Sequence, residues 1–158
     1  MNVRMFAIGK LFEHVVHRHE HEMRMREIAV QVSVADEADQ VLADPDRIEQ
    51  VIENLVANAL RHTPSGGGVE LRAKADGSTV VLSIVDSGEG ITPEHLAHVF
   101  ERFYKVDLAR TNSASGSGLG LSIAKAIVDR HHGSIQVASA AGRTAFTIVL
   151  PQGESRHG

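Results

Sequence analysis

Two glycine-bearing stretches constrain this chain more than anything else in it. DSGEGITPEH runs from Asp86 to His95, and GSGLGLSIAKAIVDRHHG runs from Gly116 to Gly133. In the first, an acidic residue stands beside a glycine turn at Gly88 and Gly90. In the second, Gly116, Gly118 and Gly120 open an apolar stretch with helical periodicity. Glycine lets the backbone take φ > 0 and approach a ligand closely. The N–H groups at a helix N-terminus can hold phosphate oxygens. An acidic acceptor at one end and a phosphate-binding loop at the other suit the two ends of a purine nucleoside triphosphate. Either loop alone would be weak evidence, because glycine turns are common.

The segment DPDRIEQVIENLVANALRHTP reads as a long amphipathic helix. Asp44 is a good N-cap and Pro45 suits the first turn, while Gly66, Gly67 and Gly68 follow the far end. Ile48, Val51, Ile52, Leu55, Ala59 and Leu60 form its apolar stripe. Asn54 and Asn58 are one turn apart on another face, and Arg61 extends that face. Two amides do not sit easily in a core, because burying them demands partners. They read either as solvent-facing or capping residues or as a neutral oxygen ligand for Mg²⁺ beside a cation for phosphate. Mg²⁺ usually keeps few protein ligands alongside phosphates and waters, so one Asn carbonyl suffices.

The rest of the chain alternates helices and strands. A helix is expected over residues 7–22, strands over 28–34 and 41–42, and a hairpin of 69–75 with 80–85 turning at Asp76–Gly77. Short and longer helices are expected over Pro93–Val99 and from Leu119 to about His131, the latter ended by Gly133. A last hairpin of 134–138 with 144–150 turns around Gly142. The segment between Val106 and Ser117 is polar and aperiodic and reads as a mobile loop. This pattern predicts an α+β two-layer sandwich, a mixed sheet with helices over one face, spanning residues 1–151 before a polar tail at 152–158.

Composition narrows the function. The chain has 158 residues and a formal net charge of −4, which argues against nucleic-acid binding through a basic surface. It has no cysteine, which excludes disulfides, thiolate metal sites and cysteine nucleophiles. No apolar run approaches the ~20 residues of a membrane span, and no signal-peptide pattern opens the chain.

In this order the three segments resemble the N, G1 and G2 boxes of the catalytic ATP-binding domain of sensor histidine kinases, in the superfamily that includes DNA gyrase and MutL. FERFYKVD, from Phe100 to Asp107, is similar to the family's F box, and TAFTIVLP, from Thr144 to Pro151, to its closing strand. The resemblance implies the Bergerat fold with a mobile ATP lid, and ATP with Mg²⁺ as ligands. It implies that Asp86 accepts from the adenine amino group, with Gly88, Gly90 and Ile91 forming the base pocket. Thr144 would support that contact through a water, and His62 would lie near base and ribose. Asn58 would coordinate Mg²⁺ with help from Asn54, and Arg61 would pair with a phosphate. In the lid, Tyr104 would flank the nucleotide, with Lys105 and Arg110 on phosphates. Gly116, Ser117, Gly118, Leu119, Gly120 and Leu121 would form the phosphate loop. Phe100 and Phe103 read as anchors of the lid on the core.

Two departures shape the reading. Gyrase-like ATPases carry a carboxylate general base one turn before the metal-binding Asn; here that position is Asn54, an amide. Glu53 points about 100° away around the helix. The pairs His19–Glu20 and His21–Glu22 lack the proline of a phosphoacceptor motif, since Arg24 and Arg26 stand in its place. His17 and His21 have i, i+4 spacing, as metal ligands on one helix would, but with His14 they read better as an exposed polar face. The chain is therefore expected to be the ATP half of a histidine kinase, monomeric and inactive alone. Its γ-phosphoryl would pass to a His on a separate dimerisation and phosphoacceptor domain, and then to a response regulator. Such a domain would be cytoplasmic, whether or not its parent is an inner-membrane receptor. An anti-sigma-factor type of serine kinase and a nucleotide-sensing binding module are the alternatives.

Overall fold

A computed structural model describes residues 1–102, 120–140 and 142–152. The elements are β1 (Arg4–Ala7), α1 (Ile8–Arg18), α2 (Glu20–Met25), β2 (Ala29–Val34), a 3₁₀ turn (Asp36–Ala38), β3 (Gln40–Ala43), α3 (Pro45–His62), β4 (Gly68–Asp76), β5 (Thr79–Asp86), α4 (Pro93–Leu96), α5 (Gly120–Arg130), β6 (Ser134–Ala140) and β7 (Arg143–Pro151). Five strands form a mixed sheet in the order β2-β4-β5-β7-β6. β2 and β4 are parallel, and the other pairs are antiparallel. β1 and β3 form a separate antiparallel ribbon. Among the described residues no helix is long and apolar enough to cross a membrane.

Strand alternation sends one set of side chains into the core. Val69 and Leu71 of β4, Val80, Leu82 and Ile84 of β5, and Phe146, Ile148 and Leu150 of β7 are buried. They share one sheet face, as the register of β4, β5 and β7 requires. The apolar stripes of α1 (Ile8, Phe12, Val15), α3 (Ile48, Ile52, Leu55) and α5 (Ala124, Ile127, Val128) belong to the same core. Full burial of one such aliphatic or aromatic side chain contributes about 1.5–3 kcal/mol. The two-layer mixed sandwich expected from the sequence is present.

α3 starts where its cap predicts. The Asp44 carboxylate accepts from the N–H groups of Asp46 (3.1 Å), Arg47 (3.3 Å) and Asn2 (2.9 Å). The Asn2 contact, followed by the two helix N–H groups, holds the Asp44 carboxyl below its usual range despite burial. The Asp44 N–H donates to His131 Nε2 at 3.1 Å, and His131 Nδ1 donates to the Ile127 carbonyl at 2.9 Å. The start of α3 is thereby fixed to the end of α5.

Several boundaries differ from the sequence reading. The expected helix over 7–22 is two helices broken at His19, with a strand ahead of them. His19 leaves the helical path and places Nε2 2.6 Å from Glu53 Oε2 on α3. His17 and His21 consequently lie on different helices rather than at i, i+4 of one. The helix at Pro93 stops at Leu96 rather than Val99. The left-handed residue closing α5 is His132 (φ 60), not Gly133. Its N–H donates to the Asp129 carbonyl, and that of Gly133 to Val128, the double closure of a Schellman motif. α2 ends the same way on Glu27 (φ 56). Gln152, read in sequence as the first residue of the tail, is fully buried. Its Oε1 accepts from the Leu42 N–H at 2.7 Å, and its own N–H donates to the Ser78 carbonyl at 2.8 Å.

Candidate nucleotide site

The site residues fall on the end of α3, the loop after β5, the start of α5, and β7. Cross-strand register aligns Val69, Asp86, Thr144 and Ser139 in one row across β4, β5, β7 and β6. The row continues the core face of the sheet at its last rung. It turns polar there: Asp86 is 3% exposed and Thr144 4%.

A buried carboxylate needs a reason. Asp86 Oδ1 accepts from the Gly88 N–H at 2.8 Å. That contact does not offset the burial, which raises the carboxyl from 3.8 to about 6. The turn beyond it is packed so tightly that two glycines are obligatory. A Cβ on Gly88 would stand 2.4 Å from the His62 carbonyl oxygen and 2.7 Å from Asp86 Oδ1. One on Gly90 (φ +89) would stand 2.6 Å from the Ala140 carbonyl oxygen. Past Gly90 the buried Ile91 donates its N–H to Ser139 Oγ at 2.6 Å, and Ser139 Oγ lies 2.7 Å from Thr144 Oγ1. Asp86, Gly88, Gly90, Ile91 and Thr144 are thus brought together.

α3 supplies the other wall. Asn58 is 5% exposed, and its Oδ1 accepts from Arg61 Nη2 at 3.0 Å. Asn54 Nδ2 donates to the Gly120 carbonyl at 3.0 Å, tying the Asn face to the first residue of α5, where Leu121 follows. His62 is held below its usual pKa by burial and by the Arg61 charge, against a smaller opposing effect of Glu89. Burial also lowers the Arg61 guanidinium, which remains a cation.

The carboxylate of Glu53 is engaged elsewhere. It meets Arg18 Nη1 at 2.7 Å and His19 Nε2 at 2.6 Å, and Arg18 Nη2 reaches Glu49 at 2.7 Å. Tyr104, Lys105, Arg110, Gly116, Ser117, Gly118 and Leu119 lie outside the described residues, as do Phe103 and the expected mobile loop. Phe100 meets Phe146 edge to face with ring centroids 6.0 Å apart, as expected of an anchor on the core.

Sequence reasoning missed two contributors. Arg26 donates through Nη1 to the Leu60 carbonyl (2.8 Å) and through Nη2 to the Thr63 carbonyl, while Nη1 also meets Glu22 at 2.9 Å. Thr63 Oγ1 donates to the Ala59 carbonyl at 2.6 Å. Together they satisfy carbonyls at the end of α3 that have no partner within the helix. Ser139, one residue beyond the expected strand, was the other. The signal for it was the hairpin around Gly142, whose register sets Ser139 opposite Thr144.

Known proteins resemble this chain in sequence and fold. The family of histidine kinase-, DNA gyrase B-, and HSP90-like ATPases matches residues 43–154. The sensor protein SrrB of Staphylococcus aureus is 49% identical over 112 residues, covering 70% of this chain and 19% of SrrB. The chain thus spans about a fifth of the length of the curated relatives it matches. The catalytic domain of the histidine kinase ThkA superposes with a TM-score of 0.86 at 29% identity, covering 99% of both chains. ThkA is also known in complex with the response regulator protein TrrA, where the match covers 96% of this chain and 42% of that one with a TM-score of 0.80 at 27% identity. Full-length ShkA in complex with AMPPNP gives a TM-score of 0.84 at 29% identity, covering 96% of this chain and 31% of ShkA. The chain belongs to the histidine kinase-, DNA gyrase B- and HSP90-like ATPase family, and within it is a catalytic ATP-binding domain of the sensor histidine kinase kind.

Proposed function

We propose that this chain binds Mg·ATP between the end of α3 and the Asp86 loop and presents the γ-phosphoryl group to a His on a separate domain. The observation that carries this reading is the buried Asp86 carboxylate, one oxygen held by Gly88 N–H, in a row with Thr144. An ionised acceptor in a pocket whose floor admits no Cβ suits the exocyclic amine of a flat base. Gly88, Gly90 and Ile91 shape that pocket, Thr144 supplies a hydroxyl, and neutral His62 borders base and ribose. AMPPNP, the ligand of the similar kinase ShkA, is an ATP analogue.

At the phosphate end, Asn58 offers an amide oxygen that already accepts from a cationic group. An oxygen of this kind fits Mg²⁺, a hard cation that takes its other ligands from phosphates and water. The bound metal would neutralise phosphate charge. Arg61 pairs with a phosphate, and Asn54 holds Gly120 so that the N–H groups opening α5 face the phosphates. Lys105, Arg110 and Tyr104 complete the set, with Gly116, Ser117, Gly118, Leu119 and Leu121 along the phosphate loop.

The transfer breaks the bond from the γ-phosphorus to the β,γ-bridging oxygen and forms one to an imidazole nitrogen of the acceptor, releasing ADP. Such transfer rests on positioning and charge neutralisation. Water is a poor competitor here. Asn54 cannot take a proton, and Glu53 is held by Arg18 and His19. The partners are the parent's dimerisation and phosphoacceptor domain and, through it, a response regulator. In the test, γ-labelled ATP is added to this chain with and without a helical acceptor domain. Acid-labile label on the acceptor His, absent when Asp86→Asn replaces the native chain, is the expected result. Acid-stable label on Ser, or binding with no transfer, would sink it.

A further inference from the structure

We infer that Ser139 is a specificity-determining positioning residue: it fixes the direction of the Thr144 hydroxyl beside Asp86 and so sets which base edge the pocket accepts. The inference rests on the base site proposed above.

Ser139 Oγ has three neighbours. The Ile91 N–H, 2.6 Å away, can only donate to it. Thr144 Oγ1, at 2.7 Å, can donate or accept. The Arg143 carbonyl, at 3.4 Å, can only accept. Ser139 has one proton, and the Arg143 carbonyl lies near the limit of a hydrogen bond while Thr144 is at the optimum for O–H···O. We place that proton on the line to Thr144, the shorter of the two contacts it can serve. With its oxygen occupied from that side, Thr144 turns its own proton into the pocket, where it is a donor.

The Asp86–Thr144 pair then presents one acceptor and one donor on adjacent strands, since the two residues are direct partners across β5 and β7. Adenine offers the complement: an amine donor next to a ring nitrogen acceptor, reached directly or through one water. Guanine offers the reverse, a carbonyl acceptor next to a ring N–H donor. A free Thr144 hydroxyl could rotate to accept from guanine. Ser139 removes that freedom, and its grip on Ile91 holds the far side of the base pocket in the same contact.

The test is calorimetry of the chain with Mg·ATP and Mg·GTP for wild type, Ser139→Ala, Ser139→Thr, Thr144→Val and Asp86→Asn. Ser139→Ala is expected to narrow the preference for ATP over GTP by about fivefold to tenfold, the scale of one directed hydrogen bond. Thr144→Val should narrow it similarly, and Ser139→Thr should keep it. A structural role alone would weaken both nucleotides equally and leave their ratio unchanged. An unchanged ratio in Ser139→Ala, with ATP binding still lost in Asp86→Asn, overturns the role of Ser139 alone. If Ser139→Ala does not fold, an unchanged ratio in Thr144→Val overturns it equally. ATP binding unaffected by Asp86→Asn overturns the base site and the role of Ser139 with it.

Discussion

The backbone carbonyl of His62 occupies the space that a side chain on residue 88 would need: a Cβ there would lie 2.4 Å from its oxygen. The last turn of α3 and the turn after β5 approach too closely at this point for any side chain on residue 88. Gly88→Ala must push one of them away. The expected cost is about 1–3 kcal/mol, the scale of an overpacked interior. ATP binding should be lost even where the variant is still folded, because the floor of the pocket moves. Chemical denaturation and calorimetry on the same preparation check both parts; full ATP affinity in Gly88→Ala would refute the close contact.

Asp86 is expected to oppose folding while serving binding. Its carboxyl rises from an ordinary 3.8 to about 6 in the fold. Between those values the folded chain holds the proton more firmly than the unfolded chain. Stability from this group is therefore present at low pH and is lost as pH rises through about 6. Asp86→Asn should flatten that slope and raise the melting temperature at pH 7 and above, while ATP binding falls. In the native chain ATP affinity should rise with pH through the same range, as the acceptor ionises. Melting curves from pH 4 to 8 read the sign; a native chain that gains stability across this window relative to Asp86→Asn would contradict it.

Arg26 closes the end of the helix that carries Asn58 and Arg61. Arg26→Ala leaves the Leu60 and Thr63 carbonyls without the guanidinium and should cost about 1.5–3 kcal/mol, as hydrogen bonds to a charged group do. A lysine offers a point charge instead of a planar fork, so Arg26→Lys should recover only part of the loss. Amide exchange in the last turn of α3 should quicken in the alanine variant; protection equal to wild type would count against the capping role.

His132 holds a left-handed conformation that costs a residue with a Cβ about 1–2 kcal/mol. His132→Gly relieves this, at some cost in unfolded-state entropy. A net gain of about 0.5–1 kcal/mol is expected, read as a higher denaturation midpoint with unchanged slope. A lower midpoint would show that the imidazole contributes something the closure geometry does not.

What the sequence revealed and what it hid follow one physical division. α3 was legible because its cap, its proline and its apolar stripe are all local. The β4–β5 hairpin was legible from Asp76–Gly77 for the same reason. The glycines around Asp86 were legible because their spacing is itself the signal. β1 was not, since Arg4–Ala7 is a strand only by pairing with Gln40–Ala43. Nor was the break at His19, which goes with a contact to Glu53 on another helix. Arg26 acts on backbone carbonyls far along the chain, which no pattern of side chains announces, and Ser139 was within reach only through the hairpin register that sets it opposite Thr144.

Gln152 joins backbone positions whose synthesis is 110 residues apart. During translation Leu42 emerges long before the side chain that will accept from its N–H, and water fills that role meanwhile. Closing so long a span carries an entropic penalty that is met only once the final strand has docked. The ribbon of β1 and β3 is thus expected to become fixed last as the chain folds and to loosen first as it opens.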